Sequence, residues 1–220
     1  MPNPKRNKQK TWTMIKKKWE RKKEFYQEIQ SCVKKYAHVF VFAATHGRNS
    51  NLRNVRMQWK TSRICVGKNK VMAKALGLTE KDERRPNLHK IGKQLKGDKG
   101  LLFTNQPIEE VVNWFHSYSE GDYARPGYIA TEDVILQEGP LEQCPAKLEP
   151  SLKRLGLSTT LKDGVIYLLK DYAVCKAGEA LSLESARILR LLGKQMVEFK
   201  IRLLSVWSQN GNFADLDSEN

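Results

Sequence analysis

The sequence lacks any uninterrupted apolar run approaching the roughly 20 residues that a membrane-spanning helix needs, although 40% of its 220 residues are hydrophobic. Its first residues are rich in lysine and contain no apolar stretch of the kind found in secretory signals. Both absences argue against membrane and secreted proteins, so we expect a soluble protein that stays inside the cell. A chain of this length can bury one or two hydrophobic cores.

Cysteine and histidine are scarce, with four of each in the chain. Cys32, Cys65, Cys144 and Cys175 are too widely spaced for a zinc motif or a disulfide framework, so we expect reduced and mostly buried thiols. The histidines show no metal-ligand spacing, and no Ser, Cys or carboxylate forms a recognisable catalytic constellation with them. We therefore predict no metal, no cofactor, no small-molecule substrate and no enzymatic activity.

Positive charge is in excess, at +15, and it is unevenly placed. Residues 1–23 contain 10 Lys and Arg against 1 acidic residue, and residues 24–122 contain 17 against 10. Residues 123–183 contain 7 against 8, and residues 184–220 contain 5 of each. Because all of the excess precedes residue 123, a polyanionic partner is expected to meet the N-terminal half of the chain.

Residues 1–18 are basic and have almost nothing apolar to bury, so we expect a flexible arm there. The arm fits a solubilising tail, a nuclear-import signal or a segment that grasps phosphates, and we favour the functional alternatives. Trp12 is the best candidate to stack on an unpaired base, because it lies within the polar arm. Trp19 and Phe25 are expected to pack in a core or against a helix end instead.

Strand-like and helix-like patterns alternate along residues 19–118. Helices are predicted over about 19–36, 50–60, 69–77, 88–95 and 108–118, and strands over 38–45, 62–66 and 100–104. This alternation predicts an α/β domain with a central sheet flanked by helices.

The composition changes near residue 121, where charge falls to neutral and proline accumulates. We predict a second, smaller module over residues 123–183, followed by a helix over 182–194 and a strand over 197–207. These last elements are suited to closing the first sheet, which would make residues 123–183 an insertion into a domain formed by 19–122 and 184–213. The periodicity of the apolar residues does not by itself establish that the chain returns to the first sheet. Residues 214–220 are predicted to be a disordered acidic tail.

The turn between the second strand and the following helix places cations where they are unfavourable. Lys68 and Lys70 oppose the helix dipole at a cost of about 0.3 to 1 kcal/mol each, whereas an anion there would be attracted by the dipole, the free N–H groups and both lysines. A second cationic stripe, Arg53, Arg56 and Lys60, runs beside the apolar face of the preceding helix. Together they predict a site for the phosphates of an extended RNA.

A nucleotide-binding P-loop is the rival interpretation of this Gly-Lys turn. That motif requires Gly five residues before the Gly-Lys pair and Ser or Thr directly after it. The sequence has Ser62 and Asn69 at these positions, so both requirements fail and nucleotide hydrolysis is not predicted.

Several segments carry a resemblance to a known family. They are Val39-Phe-Val-Phe-Ala, Leu52-Arg-Asn-Val-Arg-Met, Val66-Gly-Lys-Asn-Lys-Val-Met-Ala-Lys-Ala-Leu, Lys96-Gly-Asp-Lys-Gly-Leu-Leu-Phe and Leu155-Gly-Leu-Ser-Thr-Thr-Leu-Lys-Asp-Gly. Over about residues 20–213 the chain resembles the acidic ribosomal stalk-base protein family. The resemblance implies an α/β domain that binds the GTPase-associated region of large-subunit ribosomal RNA, with a smaller α/β domain inserted at about 123–183.

The resemblance also implies which residues contact phosphates and sugars, contacts that position a protein on RNA without reading bases. These residues are Arg53, Arg56, Lys60, Lys68, Asn69 and Lys70. Further RNA-binding candidates are Lys74 and, in the basic arm, Lys16, Lys17 and Lys18.

The chain departs from stalk-base proteins after the matched segment. The family continues into helices that recruit stalk dimers, an Ala-rich hinge and an acidic tail, and none of these is present before Asn220. The chain is therefore similar to an assembly paralogue that holds the RNA site in nuclear and nucleolar pre-60S particles, with transient cytoplasmic passage. Its expected partners are precursor rRNA and neighbouring ribosomal proteins, with no membrane and no homo-oligomer. The alternative is a structural stalk-type protein of mature ribosomes.

Overall fold

The computed structural model describes residues 4–44 and 49–216, and the side chains of residues 14–44 and 50–216. Within these ranges no helix is long and apolar enough to cross a membrane. The chain divides into two compact units. We call residues 1–118 with 200–220 the first unit and residues 119–199 the inserted unit.

Helices and strands alternate along the described chain, as predicted. The helices are α1 (Pro4–Lys35), α2 (Asn49–Gln58), α3 (Asn69–Leu76), α4 (Leu88–Gln94), α5 (Ile108–Ser117), α6 (Glu149–Arg154) and α7 (Leu183–Leu191). The strands are β1 (His38–Ala44), β2 (Arg63–Val66), β3 (Lys99–Thr104), β4 (Glu120–Asp122), β5 (Val134–Leu136), β6 (Gly139–Pro140), β7 (Thr159–Lys162), β8 (Val165–Leu168), β9 (Tyr172–Cys175), β10 (Val197–Phe199), β11 (Ile201–Ser208) and β12 (Phe213–Asp215).

The first unit is built on an antiparallel sheet in the order β12-β11-β1-β3-β2. β1 lies in its interior, with Val39 opposite Trp207 on one side and Phe103 on the other. Its run of apolar residues fits a strand that is covered on both faces, and Val39 to Phe42 are buried. The predicted fold class, a central sheet flanked by helices, is confirmed. The predicted return of the chain also occurs, because β11 pairs with β1.

One face of this sheet carries a core shared by α1, α3 and α4. The residues in it include Ile29, Cys32, Val39, Val41, Cys65, Met72, Leu76, Ile91, Leu101, Phe103 and Trp207. Successive strand side chains point to opposite faces, so Phe40 and Ile64 face the other way. There Trp59, which follows α2, stacks on Phe115 of α5 with ring centroids 5.4 Å apart. The helices therefore cover both faces, with α3 and α2 on opposite sides.

The inserted unit has its own core, to which Leu152, Ile166, Ile188 and Leu189 contribute fully buried side chains. β7 and β8 form a hairpin in which Lys162 pairs with Val165. The two loop residues, Asp163 and Gly164, both have positive φ, at 49° and 80°. A hairpin turn of this kind requires that conformation twice, and an Asp-Gly pair accommodates it at little cost.

The boundary predicted for the insertion at residue 183 is wrong for the helix that follows it. α7 packs its apolar face into the core of the inserted unit, which extends to Phe199. The predicted strand over 197–207 is likewise two strands, since β10 pairs with β4 of the inserted unit and β11 pairs with β1. A periodic apolar pattern marks a face to be buried but does not say which core buries it.

The predicted flexible arm and disordered tail also differ from the structure. α1 begins at Pro4, so residues 4–18 continue a helix that was expected to start near residue 19. No Gly or Pro interrupts residues 5–46, and adding turns to an existing helix avoids the cost of nucleation. At the other end, β12 pairs with β11 and includes two residues of the expected tail. Residues 1–3 and 217–220 lie outside the described residues.

A hydrogen-bond network around Glu83 closes the loop between α3 and α4. Glu83 accepts hydrogen bonds from the backbone N–H groups of Asn87 and His89, each at 3.1 Å, and lies 2.6 Å from Nδ1 of the buried His89 ring. Burial by itself would raise the pKa of Glu83. The hydrogen bonds from His89 and Asn87 outweigh it and hold the pKa of this carboxyl below its ordinary value of 4.5.

Replacement of Glu83 by glutamine is expected to make the free energy of unfolding depend less on pH under acidic conditions. Because the folded-state pKa is lowered, the carboxylate stabilises the fold above its unfolded pKa, and this contribution is lost as pH falls through the folded pKa. Hydrogen bonds to a charged group contribute about 1.5 to 3 kcal/mol. Urea unfolding at several pH values between neutral and acid should therefore show the two proteins converging as pH falls through the lowered pKa of Glu83. Parallel curves would contradict the assignment.

Candidate nucleic-acid interface

Six of the predicted cationic residues lie on the segments directly before and after β2, an edge strand of the central sheet. β2 is the edge strand, and its four residues span about 13 Å at roughly 3.3 Å per residue. Lys60 and Lys68 lie in the turns before and after it, and both are exposed. We define the cationic surface as six exposed side chains around this strand, Arg53, Arg56, Lys60, Lys68, Lys70 and Lys74.

The start of α3 forms one end of the cationic surface. Lys68 occupies the N-cap position with extended backbone, and its carbonyl accepts the N–H groups of Val71 and Met72. No side chain caps this end, and no acidic residue lies in the first turn. The first N–H groups and the helix dipole are therefore directed at solvent together with Lys68 and Lys70, an arrangement that favours an anion. Lys74 extends the same face by one turn.

The side chain of Asn69, which is predicted to contact RNA, also has a hydrogen-bond partner within the protein. Its Nδ2 donates a hydrogen bond of 2.5 Å to the carbonyl oxygen of Gly97, which joins the start of α3 to the loop before β3. The side chain is half-buried, and its amide fixes the geometry of the helix start. The contact also brings the exposed Lys96 to the cationic surface. Sequence reasoning did not single out Lys96, although it lies in the Lys-Gly-Asp-Lys-Gly segment that carries part of the resemblance.

α2 supplies the other end of the surface. Arg53, Arg56 and Lys60 are exposed, while Leu52, Val55 and Trp59 on the adjacent stripe are buried. Arg56 Nη2 lies 3.4 Å from the carbonyl oxygen of Ile64, so the arginine reaches across to the edge strand. This contact brings Arg56 of α2 to the strand whose following turn carries Lys68.

Arg63 lies on the edge strand but is engaged within the protein. Its Nε donates a hydrogen bond of 2.6 Å to Glu28 Oε1 of α1. The pair fixes α1 against β2, and Arg63 is therefore not counted in the cationic surface.

Gly67 sets the distance between α1 and the turn that carries Lys68. A Cβ atom at Gly67 would lie 2.5 Å from Phe25 Cε1, so only glycine lets the aromatic ring approach this closely. Phe25 is half-buried and packs against the first-unit core, as expected. Residues one and two turns before Phe25, including Lys18 and Lys22, continue along α1 away from this contact at about 1.5 Å per residue.

The N-terminal turns of α1 present further cations and an aromatic ring. Lys16, Lys17 and Lys18 are exposed. Trp19 was expected to pack in a core or against a helix end, but it is 61% exposed, with Lys23 Nζ 5.5 Å from its ring centroid. It is thus available for stacking. The side chain of the other candidate, Trp12, lies outside the described residues.

The described residues offer no competing site for metal chemistry. No group of three His, Cys, Asp or Glu side chains among them is placed to hold a metal ion. All four cysteines are free thiols, and Cys32, Cys65 and Cys144 are buried. Burial raises the pKa of the Cys144 thiol, which keeps it protonated.

Two family models match the chain and together define its class. The model described as "Ribosomal protein L10" matches residues 17–120, and a model for the insertion domain of the 60S ribosomal protein of this family matches residues 124–193. The first match includes the cationic surface, and the second corresponds to most of the inserted unit. The fold is thus an L10-type domain interrupted by the family's insertion domain, in agreement with the resemblance noted in the sequence.

Similar full-length proteins narrow the class further. "Ribosome assembly factor mrt4" of Dictyostelium discoideum is 39% identical over 87% of this chain and 86% of its own length. The protein of the same name from Schizosaccharomyces pombe is 38% identical over 96% and 93%. "Large ribosomal subunit protein uL10" of Thermococcus onnurineus is 25% identical over 84% of this chain and 55% of its own length. The chain belongs to the ribosomal L10 family and, within it, to the group of ribosome assembly factors named mrt4. This is a non-enzymatic family, as the absence of a catalytic constellation predicted.

Proposed function

We propose that this protein is an assembly factor of the large ribosomal subunit that binds ribosomal RNA through the cationic surface. Relatives at 38–39% identity are named ribosome assembly factors, and these names support a role in ribosome biogenesis. The RNA segment that we propose is the GTPase-associated region of precursor large-subunit rRNA, as the resemblance implies. The corresponding compartment is the nucleus and nucleolus, with transient cytoplasmic passage on pre-60S particles.

The uncapped start of α3 is the observation that carries this proposal. Lys68 and Lys70 stand at a helix N-terminus that has neither a capping side chain nor an acidic residue in its first turn. Cations at this end oppose the dipole, so their placement is explained by an anionic partner. The neighbouring cations of α2, at the other end of β2, extend the surface along an RNA backbone rather than around a single phosphate.

The proposed mechanism is occupancy of an RNA site. The contacts available are lysine and arginine side chains and backbone N–H groups, which bind phosphates and position a protein without reading sequence. In this mechanism the protein protects or folds the stalk-base site of the pre-60S particle, excludes the stalk-base protein, and leaves when that protein replaces it. Its partners on the particle would be precursor rRNA and the neighbouring ribosomal proteins.

Fractionation of nuclear and cytoplasmic extracts on sucrose gradients tests the proposed function. We expect the protein to migrate with particles that contain precursor large-subunit rRNA and to be missing from polysomes. Brief inhibition of rRNA transcription should deplete it from the pre-60S fractions, because its binding site is no longer made. Steady association with polysomes would instead indicate a structural stalk-type protein of mature ribosomes.

A further inference from the structure

The inserted unit contains a cleft whose chemistry differs from that of its surroundings. The cleft has a volume of about 470 Å³ and is lined by Ser151, Arg154 and Leu155 from the α6 region and by Arg187, Arg190 and Leu191 from α7. The three arginines are exposed, and the two leucines are half-buried. The cleft thus has a cationic rim and an aliphatic floor.

The arginines of this cleft have no carboxylate partner among the described residues. The acidic side chain of α6, Glu149, pairs with Lys153 at 2.5 Å. Glu184 of α7 makes no described ion pair with Arg187, although it lies three residues before it. Three guanidinium groups therefore remain available to an external anion, and each can form a forked pair of hydrogen bonds with a carboxylate or phosphate.

The residues of α7 that line the cleft form one stripe along the helix. Arg187, Arg190 and Leu191 lie at spacings of three and four residues and share one face of the helix. Leu183, one turn before Arg187 on that face, is 47% exposed. One stripe of α7 therefore carries two arginines between two leucines, Leu183 and Leu191, which suits an extended ligand with both acidic and apolar groups.

The composition of the inserted unit favours an acidic peptide over RNA as the ligand. Residues 119–199 contain 10 Lys and Arg against 12 Asp and Glu, a net charge of −2. A long polyanion such as RNA would therefore gain little binding energy from phosphate contacts outside the cleft. None of the six lining residues is aromatic, whereas single-stranded RNA is usually bound by stacking its bases on aromatic rings. The leucines on the floor of the cleft can contact an aliphatic side chain of a peptide. The arginines on its rim can pair with carboxylates on either side of that side chain.

We propose that this cleft is a docking site for an acidic peptide segment of a partner protein, with carboxylates bound by Arg154, Arg187 and Arg190 and an apolar side chain seated on Leu155 and Leu191. The site is separate from the cationic surface of the first unit. The inserted unit then recruits protein while the first unit binds RNA.

Isothermal titration of the full chain with a short, end-blocked peptide of alternating Asp and Leu tests this inference. We expect saturable binding at near-physiological salt that weakens at least about tenfold in the Arg187→Gln/Arg190→Gln variant, because two charge-assisted contacts are lost. Lys68→Gln/Lys70→Gln, which removes the same two positive charges from the first unit, serves as the matched control and should leave peptide affinity unchanged. A peptide with Asn for Asp should not bind, and one with Ser for Leu should bind more weakly.

Three results would overturn the inference. Peptide affinity that is unchanged by the arginine substitutions would remove the site, provided that circular dichroism shows both variants folded. An equal loss in the lysine variant would show attraction to net charge alone. Binding of oligouridine that depends on Arg187 and Arg190, without peptide binding, would make the cleft an RNA contact. The proposed RNA site is tested separately by the lysine variant, so failure of one proposal is distinguishable from failure of the other.

Discussion

Exchange of Lys68 and Lys70 for glutamate is expected to weaken RNA binding on the order of 100-fold, since each hydrogen bond to a charged group contributes about 1.5 to 3 kcal/mol and about 1.4 kcal/mol corresponds to tenfold. Both side chains are exposed at the uncapped start of α3. The affinity of this variant for RNA should also depend less on salt concentration. Each phosphate contact contributes about 0.9 to the slope of log affinity against log salt on duplex and about 0.7 on single strands, so the slope should fall by about 1.4 to 1.8.

A control variant with the same change in net charge tests whether the loss of RNA binding is specific to the start of α3. Lys170 and Lys176 are exposed lysines of the inserted unit, and their exchange for glutamate changes the charge by the same amount. Electrophoretic mobility shifts with an RNA fragment of the GTPase-associated region, over a range of salt concentrations, should show near-normal binding for this control. Equal weakening in both double variants would mean that binding follows overall charge and that the start of α3 is not the contact.

Replacement of Trp207 by alanine is expected to destabilise the first unit by about 3 to 5 kcal/mol. Trp207 is fully buried in the core beneath α1, α3 and α4. Its indole Nε1 donates a hydrogen bond of 2.9 Å to the carbonyl oxygen of Pro86, which anchors the loop between α3 and α4 to β11. The substitution therefore creates a cavity and also removes the hydrogen-bond donor to the Pro86 carbonyl oxygen. Urea unfolding followed by far-ultraviolet circular dichroism measures the loss.

Two further variants separate the contribution of the Trp207 hydrogen bond to stability from that of its burial. Trp207→Phe keeps most of the apolar volume but removes the hydrogen-bond donor to the Pro86 carbonyl, so we expect a smaller loss of about 0.5 to 1.5 kcal/mol, the net contribution of one hydrogen bond. Trp19→Ala makes the same chemical change as Trp207→Ala at an exposed position and should alter stability by no more than about 0.5 kcal/mol. Equal destabilisation by the two alanine substitutions would contradict the burial that the structure assigns to Trp207.

Local pattern was sufficient for most of the helices and strands. The helix beginning at Asn69, the Gly-Lys turn before it and the buried strand His38–Ala44 all follow from residue spacing, because backbone preferences and apolar periodicity act over a few residues. Failures occurred where the outcome depended on distant residues. α7 and β10 were assigned to the wrong unit, and Trp19 was assigned to a core or a helix end, since an apolar side chain does not reveal which neighbours, if any, will cover it.

The sequence by itself determined the local chemistry of the RNA surface: cations at a helix start, a second cationic stripe on α2 and an excess of positive charge before residue 123. Only the tertiary structure decided that β2 is an edge strand and that both sets of cations flank it. It also gave Asn69 an intramolecular partner in Gly97 and assembled the three-arginine cleft from α6 and α7. The physical reason is that strand order and helix packing result from burial of apolar surface by the whole chain, and a linear pattern contains only each segment's own contribution to that burial.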